Sequence, residues 1–345
     1  MKKFEKISFL PLPTPVHRMH NIEKLLGFSP IFVKRDDLLG RGLGGVKLRK
    51  LEYILRSALD NKADTLVTVG ALNSNHCFYT ALIAKMYGLK CILFLVKPVS
   101  KKDENNLFLN DIFSKNLGAE IYEIEEIPDE KIGKGFGIVS ESTEREVWIK
   151  CKEVIEKLQK NGYNPFYIPP GSVTPIGCYA MIEAFEELYI QMHSLGINSY
   201  DIFVPVGTGG VFCGLWFASQ LRAKDVKIYG ISIGANDFLC NEIVKNACQQ
   251  LCKKIEHTLF IPAKFDIFDE FKGEGYGIET HLSQQAIKIA FEEEGLFLDH
   301  TYSGKCFAGM LEMIRKKRGI FTKPIVFWHS GGVVERMGNI INTCL

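Results

Sequence analysis

Short apolar runs alternate with amphipathic segments along nearly the whole chain. The apolar runs end in turn residues, which is typical of buried strands, and they occupy residues 65–69, 90–96, 120–124, 201–206, 227–233 and 324–328. Between them, apolar residues recur at helical spacing, which predicts helices that include residues 75–86, 146–160, 181–193 and 305–317. Because strands and helices alternate, we predict an α/β fold whose sheets are mostly parallel and covered by helices on both faces.

Two polar stretches, residues 97–106 and 125–137, interrupt this alternation without the composition of a flexible linker. We expect two three-layer domains. A small domain would span residues 56–162, and residues 1–55 would combine with residues 163–345 in a large domain. Ligands in such folds bind at the carboxyl ends of strands, so we expect the functional site in the cleft between the domains, where strands lead into helices.

The net charge of the chain bears on whether it binds nucleic acids or membranes. Its 345 residues include 42 lysines and arginines and 40 aspartates and glutamates, which gives a formal charge of +2. Such a balance gives no electrostatic reason to expect nucleic acid or an anionic membrane as a partner. No apolar run approaches the roughly 20 residues of a membrane helix, and the first residues lack the pattern of a signal peptide. We therefore expect a cytoplasmic protein.

Ten cysteines are scattered through the predicted helices and strands, as at Cys91, Cys178 and Cys306. A chain of this length has enough core to be stable without disulfide bonds, so we expect buried thiols. Cys248 and Cys252 lie one helical turn apart, but no second pair or nearby histidine completes a metal site. The sequence therefore predicts no metal centre.

A lysine at the start of an amphipathic helix is the first candidate for chemistry. Lys47 follows the paired glycines Gly44 and Gly45, and leucines recur after it at helical spacing. Packing of those leucines would fix the backbone at Lys47, and the glycines would leave space for a planar ring, so Lys47 could hold a Schiff base. Taken alone, the segment is more typical of a solvated basic turn.

Two strand-to-helix junctions carry polar or glycine-rich residues. Residues 73–76, Asn-Ser-Asn-His, either cap the following helix or face an anionic ligand at its positive end. Residues 207–210, Gly-Thr-Gly-Gly, let successive backbone amides converge at a helix start, which favours a phosphate. A nicotinamide site is less consistent with the second junction, because its glycines lack the G-x-G-x-x-G spacing.

Together these motifs resemble the pyridoxal-phosphate enzymes of fold type II, and within them the family of D-cysteine desulfhydrase and 1-aminocyclopropane-1-carboxylate (ACC) deaminase. The resemblance covers residues 11–332, nearly the whole chain. Its further parts are residues 34–38, 169–177, 275–277, 299–305 and 329–332. The resemblance implies the cofactor pyridoxal 5′-phosphate in the interdomain cleft, a small amino-acid substrate and a homodimer.

The resemblance also implies which residues contact the cofactor. Lys47 would hold it as a Schiff base, and Asn75 would bond the phenolate oxygen of its ring. Ser303 would meet the pyridine nitrogen. The phosphate would be bound by Gly207, Thr208, Gly209 and Gly210.

On the substrate side, the resemblance implies Lys47 as the catalytic base at the α-hydrogen, with Ser74, Tyr276 and Tyr302 as further catalytic residues. Either tyrosine could assist the leaving group. The substrate-binding residues would be Asn73, Ser74, His76, Tyr276 and Tyr302. His76 is equally consistent with a structural histidine whose ring nitrogens are bonded within the protein.

Two positions favour one branch of the family. Deaminases of the family carry a glutamate directly after the second tyrosine and an apolar residue before the last paired glycines, whereas desulfhydrases carry hydroxyl residues at both places. This chain has Ser303 and Ser330. A serine leaves the ring a weaker electron sink than a carboxylate does, which suffices when a thiolate departs. The resemblance therefore favours β-elimination from D-cysteine, which gives pyruvate, sulfide and ammonia.

Four positions depart from the family pattern and cluster around the substrate side: Val46, Ala71, Asn73 and Phe78. They leave open ACC, cysteate or diaminopropionate as the substrate of a deaminase, a β-eliminating enzyme or a β-replacing enzyme. A non-catalytic module that only binds the cofactor is a further alternative. Retention of the two tyrosines argues against it, because a binding module needs only the lysine and the phosphate loop.

Overall fold

The computed structural model of the protein describes residues 2–28, 30–40, 44–97, 108–127, 139–316 and 320–337. Within these residues the chain forms ten strands and ten α-helices. The strands are β1 (Val16–Arg18), β2 (Ile31–Arg35), β3 (Thr65–Ala71), β4 (Lys90–Lys97), β5 (Glu120–Glu125), β6 (Pro165–Ile168), β7 (Asp201–Val206), β8 (Lys227–Ser232), β9 (Ile267–Phe268) and β10 (Ile325–His329). The helices are α1 (His20–Leu26), α2 (Lys47–Asp60), α3 (Asn75–Met86), α4 (Leu109–Asn116), α5 (Glu141–Lys160), α6 (Pro175–Ser194), α7 (Gly210–Arg222), α8 (Asp237–Lys254), α9 (His281–Glu294) and α10 (Ser303–Lys316).

The larger sheet contains six strands in the order β1-β2-β10-β7-β8-β9. β1 runs antiparallel to β2, and every other neighbouring pair is parallel. β7 and β10 are neighbours in the middle of this sheet. Because they are parallel, the segments that follow them, residues 207–210 and 330–332, emerge at the same edge of the sheet.

The smaller sheet contains four parallel strands in the order β5-β4-β3-β6. With two mostly parallel sheets and helices between successive strands, the predicted α/β class is confirmed. β6 belongs to the smaller sheet although it begins after residue 162, where we expect the small domain to end. The division of the chain at residues 56 and 162 stays a prediction. The two polar stretches that interrupt the pattern lie mostly outside the described residues.

The helices α6 and α7 pack closely against each other in the hydrophobic core beside the larger sheet. This approach requires Gly214, because a Cβ there would lie 2.2 Å from the carbonyl oxygen of Cys178. Cys178 and Cys213 are fully buried near this contact. All described cysteines have free thiols, and the buried thiols predicted at Cys91 and Cys306 are confirmed.

Two helices begin earlier than their apolar periodicity predicts, because side chains cap them. The hydroxyl of Thr174 accepts a hydrogen bond from the backbone N–H of Gly177, and α6 therefore starts at Pro175 instead of residue 181. Ser140 caps α5 in the same way, so that helix starts at Glu141 instead of residue 146. In the described ranges, no helix is long and apolar enough to span a membrane.

Candidate active site

A cavity opens where the carboxyl ends of strands from both sheets meet. β3 contributes Val69 and Gly70 to its wall, and the segment after β10 contributes Ser330 and Gly331. The candidate residues that line it are Lys47, Ser74, Asn75, His76, Gly207, Thr208, Gly209, Gly210, Tyr276 and Tyr302. Asn73 and Ser303 are not part of this lining.

Lys47 is the first residue of α2, and its backbone is fixed against the segment after β10. The backbone N–H of Val46 donates to the carbonyl oxygen of Ser330 at 3.0 Å. Gly45 permits this approach, since a Cβ there would lie 2.9 Å from the same oxygen. The Lys47 ammonium has no hydrogen bond or ion pair to any described residue. Desolvation in the cavity, followed by the charge of Lys50, places the pKa of Lys47 well below its ordinary value, which favours the neutral, nucleophilic amine.

The glycine loop after β7 has the geometry of an anion site. Gly209 has a φ of 75° and immediately precedes α7, a helix of 13 residues. The first backbone N–H groups of α7 therefore lie at the cavity. Gly171 approaches the loop from the side of β6, and a Cβ there would lie 2.2 Å from Oγ1 of Thr208. Backbone donors and the positive end of a helix favour a phosphate dianion.

Lys50 is a site residue that the sequence analysis missed. Its side chain is fully buried, and its Nζ donates to the carbonyl oxygen of Gly171 at 3.2 Å. A Cβ on Gly210 would lie 2.7 Å from this Nζ, so the ammonium lies directly behind the glycine loop. No carboxylate of the described chain pairs with it. Its position three residues after Lys47, on the same face of α2, is the signal that could have identified it.

Ser74 and Asn75 lie at the start of α3. The side-chain oxygen of Ser74 accepts from the backbone N–H of Cys77 at 3.2 Å, so Ser74 caps the helix while it lines the cavity. Oδ1 of Asn75 accepts from Nδ2 of Asn110 at 3.3 Å. This contact orients the amide so that Nδ2 of Asn75 is the donor left for a ligand oxygen.

His76 has both ring nitrogens bonded within the protein. Thr68 donates its hydroxyl proton to the carbonyl oxygen of Ile168 at 2.7 Å, so it must accept from Nε2–H of His76 at 2.8 Å. Nδ1 of His76 then accepts from the hydroxyl of Ser172 at 3.1 Å. Burial, with the charges of Lys47 and Lys50, lowers the pKa of His76 to about 3. Of the two interpretations left open by the sequence, this geometry favours the structural one, because no ring nitrogen remains for a substrate.

Tyr276 and Tyr302 form a hydroxyl pair in the cavity wall. Their oxygens lie 2.6 Å apart, and the Tyr276 hydroxyl also contacts Oδ1 of Asn73 at 3.4 Å. Burial raises the pKa of both phenols, so both are protonated near neutral pH. The backbone on the N-terminal side of Tyr276 is held by Lys305, whose buried ammonium donates to the carbonyl oxygen of Gly275 at 2.6 Å.

Ser303 is not part of the cavity lining, and its contact with the pyridine nitrogen stays a prediction. It is fully buried at the first position of α10, where its hydroxyl donates to the carboxylate of Asp299 and accepts from the Asp299 backbone N–H at 2.9 Å. These bonds are the local capping interactions of the helix start. Ser330, in contrast, is one of the residues that line the cavity.

Comparison with known proteins places the chain in a family. The profile of the family described as "Pyridoxal-phosphate dependent enzyme" matches residues 7–331. The chain belongs to this family. It is 32% identical to a protein of Pyrococcus furiosus, over 96% of this chain and 93% of that one, and 34% identical to a protein of Pyrococcus abyssi with the same coverage. Both relatives carry the name "Putative 1-aminocyclopropane-1-carboxylate deaminase".

Solved structures agree with this membership. A crystal structure described as an "ACC deaminase homologue" superimposes with a TM-score of 0.84 at 30% identity, and covers 99% of this chain and 97% of its own. A threonine deaminase superimposes with a TM-score of 0.59 at 17% identity, over 92% of both chains, which shows the shared fold. The predicted family, the fold type II architecture and the dependence on pyridoxal phosphate are therefore confirmed.

The cavity residues fit pyridoxal phosphate. Lys47 offers an unpaired amine for the aldehyde, and the start of α7 with Lys50 offers donors and positive charge for the phosphate. The glycines at positions 171 and 210 leave space that a Cβ would fill. The donors and their arrangement thus match the aldehyde and phosphate groups of this cofactor.

Proposed function

We propose that this pyridoxal-phosphate enzyme is a lyase that removes the β-substituent of a small amino acid, with D-cysteine as its substrate. The products would be pyruvate, hydrogen sulfide and ammonia, with one water consumed. The observation that carries this proposal is the chemistry of the cavity wall: among its described residues there is no aspartate or glutamate, while the hydroxyl of Ser330 is present.

The residues that would hold the cofactor follow from their positions. Lys47 would bind it covalently, and Asn75 would donate to the ring oxygen. The phosphate would lie at the loop formed by residues 207–210, in front of the Lys50 ammonium. We propose Ser330 instead of Ser303 as the partner of the ring nitrogen, because only Ser330 lines the cavity.

The missing carboxylate supports elimination of a good leaving group. When bound, pyridoxal phosphate withdraws electrons from the α-carbon of the substrate. A carboxylate at the ring nitrogen would keep that nitrogen protonated and the ring a strong electron sink, whereas a hydroxyl withdraws less. Opening a cyclopropane ring has no departing anion to assist it and needs the stronger sink. Loss of hydrosulfide from a β-carbon does not, so the serine suits D-cysteine better than ACC.

The side chains around the substrate have distinct tasks in this proposal. The amine of Lys47 would take the α-hydrogen of the bound substrate, and its lowered pKa favours this role because the amine is then neutral. The Tyr276 and Tyr302 phenols remain protonated, so they would orient the β-substituent through hydrogen bonds and not as phenolates. Ser74, at the positive end of α3, would lie beside the substrate carboxylate.

ACC deamination is the second candidate, because the Pyrococcus relatives are named after it. One experiment separates the two functions: kcat/KM of the purified, cofactor-loaded enzyme is compared for D-cysteine, measured as pyruvate, and for ACC, measured as 2-oxobutanoate. A preference for D-cysteine supports the proposal. A preference for ACC would show that Ser330 does not limit the chemistry, and the proposed lyase function would be wrong.

A further inference from the structure

Glu335 is a buried carboxylate next to the substrate side of the cavity. It is 5% exposed and lies four residues after Gly331. Its Oε1 accepts from Nδ2 of Asn73 at 3.1 Å and from the hydroxyl of Thr301. Its Oε2 is buried and has no hydrogen-bond partner in the part of the chain that the structure describes. Nε2 of His300 lies 3.6 Å from the same Oε1. Glu335 is thus held at the site by two hydrogen-bond donors and by this contact with His300, and one of the donors belongs to a candidate substrate residue.

The contact with Glu335 fixes the orientation of the Asn73 amide. Oε1 of Glu335 accepts from the Thr301 hydroxyl and from Nδ2 of Asn73, so the amide meets the carboxyl group through its donor. This holds whether the carboxyl group is ionised or protonated on Oε2. Oδ1 of Asn73 must then face the Tyr276 hydroxyl, 3.4 Å away. A flipped amide would place two acceptors, Oδ1 and Oε1, against each other.

The amide orientation in turn sets the direction of the tyrosine hydrogen bonds. Because Oδ1 can only accept, Tyr276 donates its single proton to Asn73. The 2.6 Å contact between the phenol oxygens then requires Tyr302 to donate to Tyr276. The oxygen of Tyr302 therefore presents lone pairs, and not a proton, toward the cavity that it lines.

We propose that Glu335 is a positioning residue that makes the tyrosine pair a hydrogen-bond acceptor, so that the site selects amino acids whose β-substituent donates a hydrogen bond, such as a thiol or an amine. This inference rests on the proposed function and names the substrate class of the same site. The thiol of D-cysteine can donate to Tyr302. ACC carries only carbon and hydrogen at the corresponding position and makes no such bond.

The test compares two amino acids of similar shape, one with a hydrogen-bond donor and one with only an acceptor on its β-carbon. D-Cysteine donates through its S–H, whereas the chlorine of β-chloro-D-alanine can only accept, and both release pyruvate on elimination. In Glu335→Leu the Asn73 amide is free to flip, and we expect the ratio of kcat/KM for D-cysteine over β-chloro-D-alanine to fall at least about fivefold. Glu335→Gln keeps an accepting oxygen and should restore the wild-type ratio. An unchanged ratio in Glu335→Leu would overturn the proposal.

A second measurement does not depend on turnover. Glu335 and Tyr276 are linked through Asn73. The effects of Glu335→Leu and Tyr276→Phe on the free energy of unfolding in urea should therefore be non-additive. When Asn73 is replaced by alanine, the two effects should become additive. Additive effects with Asn73 present would overturn the Glu335 assignment. Non-additive unfolding combined with no pyruvate from either amino acid would instead overturn the proposed lyase function and leave the Glu335 assignment supported.

Discussion

The hydroxyl oxygens of Tyr276 and Tyr302 lie 2.6 Å apart in the cavity wall, with their rings edge to face at 78°. The two residues come from different parts of the fold, because Tyr276 belongs to the segment between β9 and α9 and Tyr302 immediately precedes α10. Each phenol is buried and uses the other as a hydrogen-bond partner. Removal of either hydroxyl breaks this bond, although Tyr276 keeps its contact with Asn73 when Tyr302 is the residue changed.

We expect Tyr302→Phe and Tyr276→Phe each to lower kcat/KM for D-cysteine by about 10- to 100-fold, since each breaks the buried hydrogen bond of the pair. The double variant should lose less than the product of the single losses, because both changes break the same bond. Steady-state kinetics of the three variants, with cofactor content measured by absorbance, checks this. Losses that multiply would show that the two hydroxyls act independently.

Lys50 should bind the phosphate and no other part of the cofactor. Lys50→Met removes the buried ammonium behind the glycine loop, so the affinity for pyridoxal phosphate should fall by about 10-fold or more, as expected for a lost charge-assisted hydrogen bond. Pyridoxal, which lacks the phosphate, is the matched control ligand, and its affinity should not change. Fluorescence titration of the apoprotein with both ligands gives the dissociation constants. An equal loss for both ligands would contradict a phosphate-specific role.

Lys47 should react as a neutral amine at a lower pH than an exposed lysine. Its pKa lies well below the ordinary value because of desolvation and the nearby charge of Lys50. Competitive acetylation of the apoprotein, read by mass spectrometry, should show the Lys47 reaction reaching its plateau at a lower pH than that of the lysine in an unstructured reference peptide. Lys50→Met should shift the Lys47 plateau to higher pH. Identical profiles for Lys47 and the peptide lysine would rule out the lowered pKa.

His76 should make the protein less stable in mild acid. The unfolded chain protonates this histidine near pH 6.5, whereas the folded protein does so only near pH 3, so the unfolded state binds more protons as the pH falls through this range. Between pH 6.5 and about pH 5 this should remove about 1.6 kcal/mol from the free energy of unfolding. Urea unfolding at the two pH values measures the change, and His76→Gln should lack this part of it. Equal pH dependence in both proteins would contradict the neutral assignment.

Local patterns made much of the fold predictable. Strand-to-helix junctions are visible in the sequence because apolar runs end in glycines or polar residues, and this pattern alone identifies residues 73–76 and 207–210 as candidate site residues. Helix starts were less accurate where a capping side chain extends the helix beyond its apolar face, as Thr174 does for α6.

The parts of the site that the sequence did not predict depend on long-range contacts or on side-chain direction. Ser303 matched the family position, but its hydroxyl bonds to Asp299 and Ser303 is not part of the cavity lining. The spacing of residues does not show such a direction. Glu335 contacts Asn73 across 262 positions, so no local pattern could have linked them. Lys50 was not among the predicted site residues, because only the approach of Gly171 and Gly210 shows that it is buried beside the glycine loop.

The central claim is that this enzyme eliminates the thiol of D-cysteine with Lys47 as its base. Its most direct test is the release of sulfide and pyruvate from D-cysteine and L-cysteine by the cofactor-loaded protein, with Lys47→Ala as the control. We predict equal amounts of sulfide and pyruvate from D-cysteine, and neither product from the variant, which should also lack the visible absorbance of the bound cofactor. No release from D-cysteine by a protein that shows this absorbance would contradict the account.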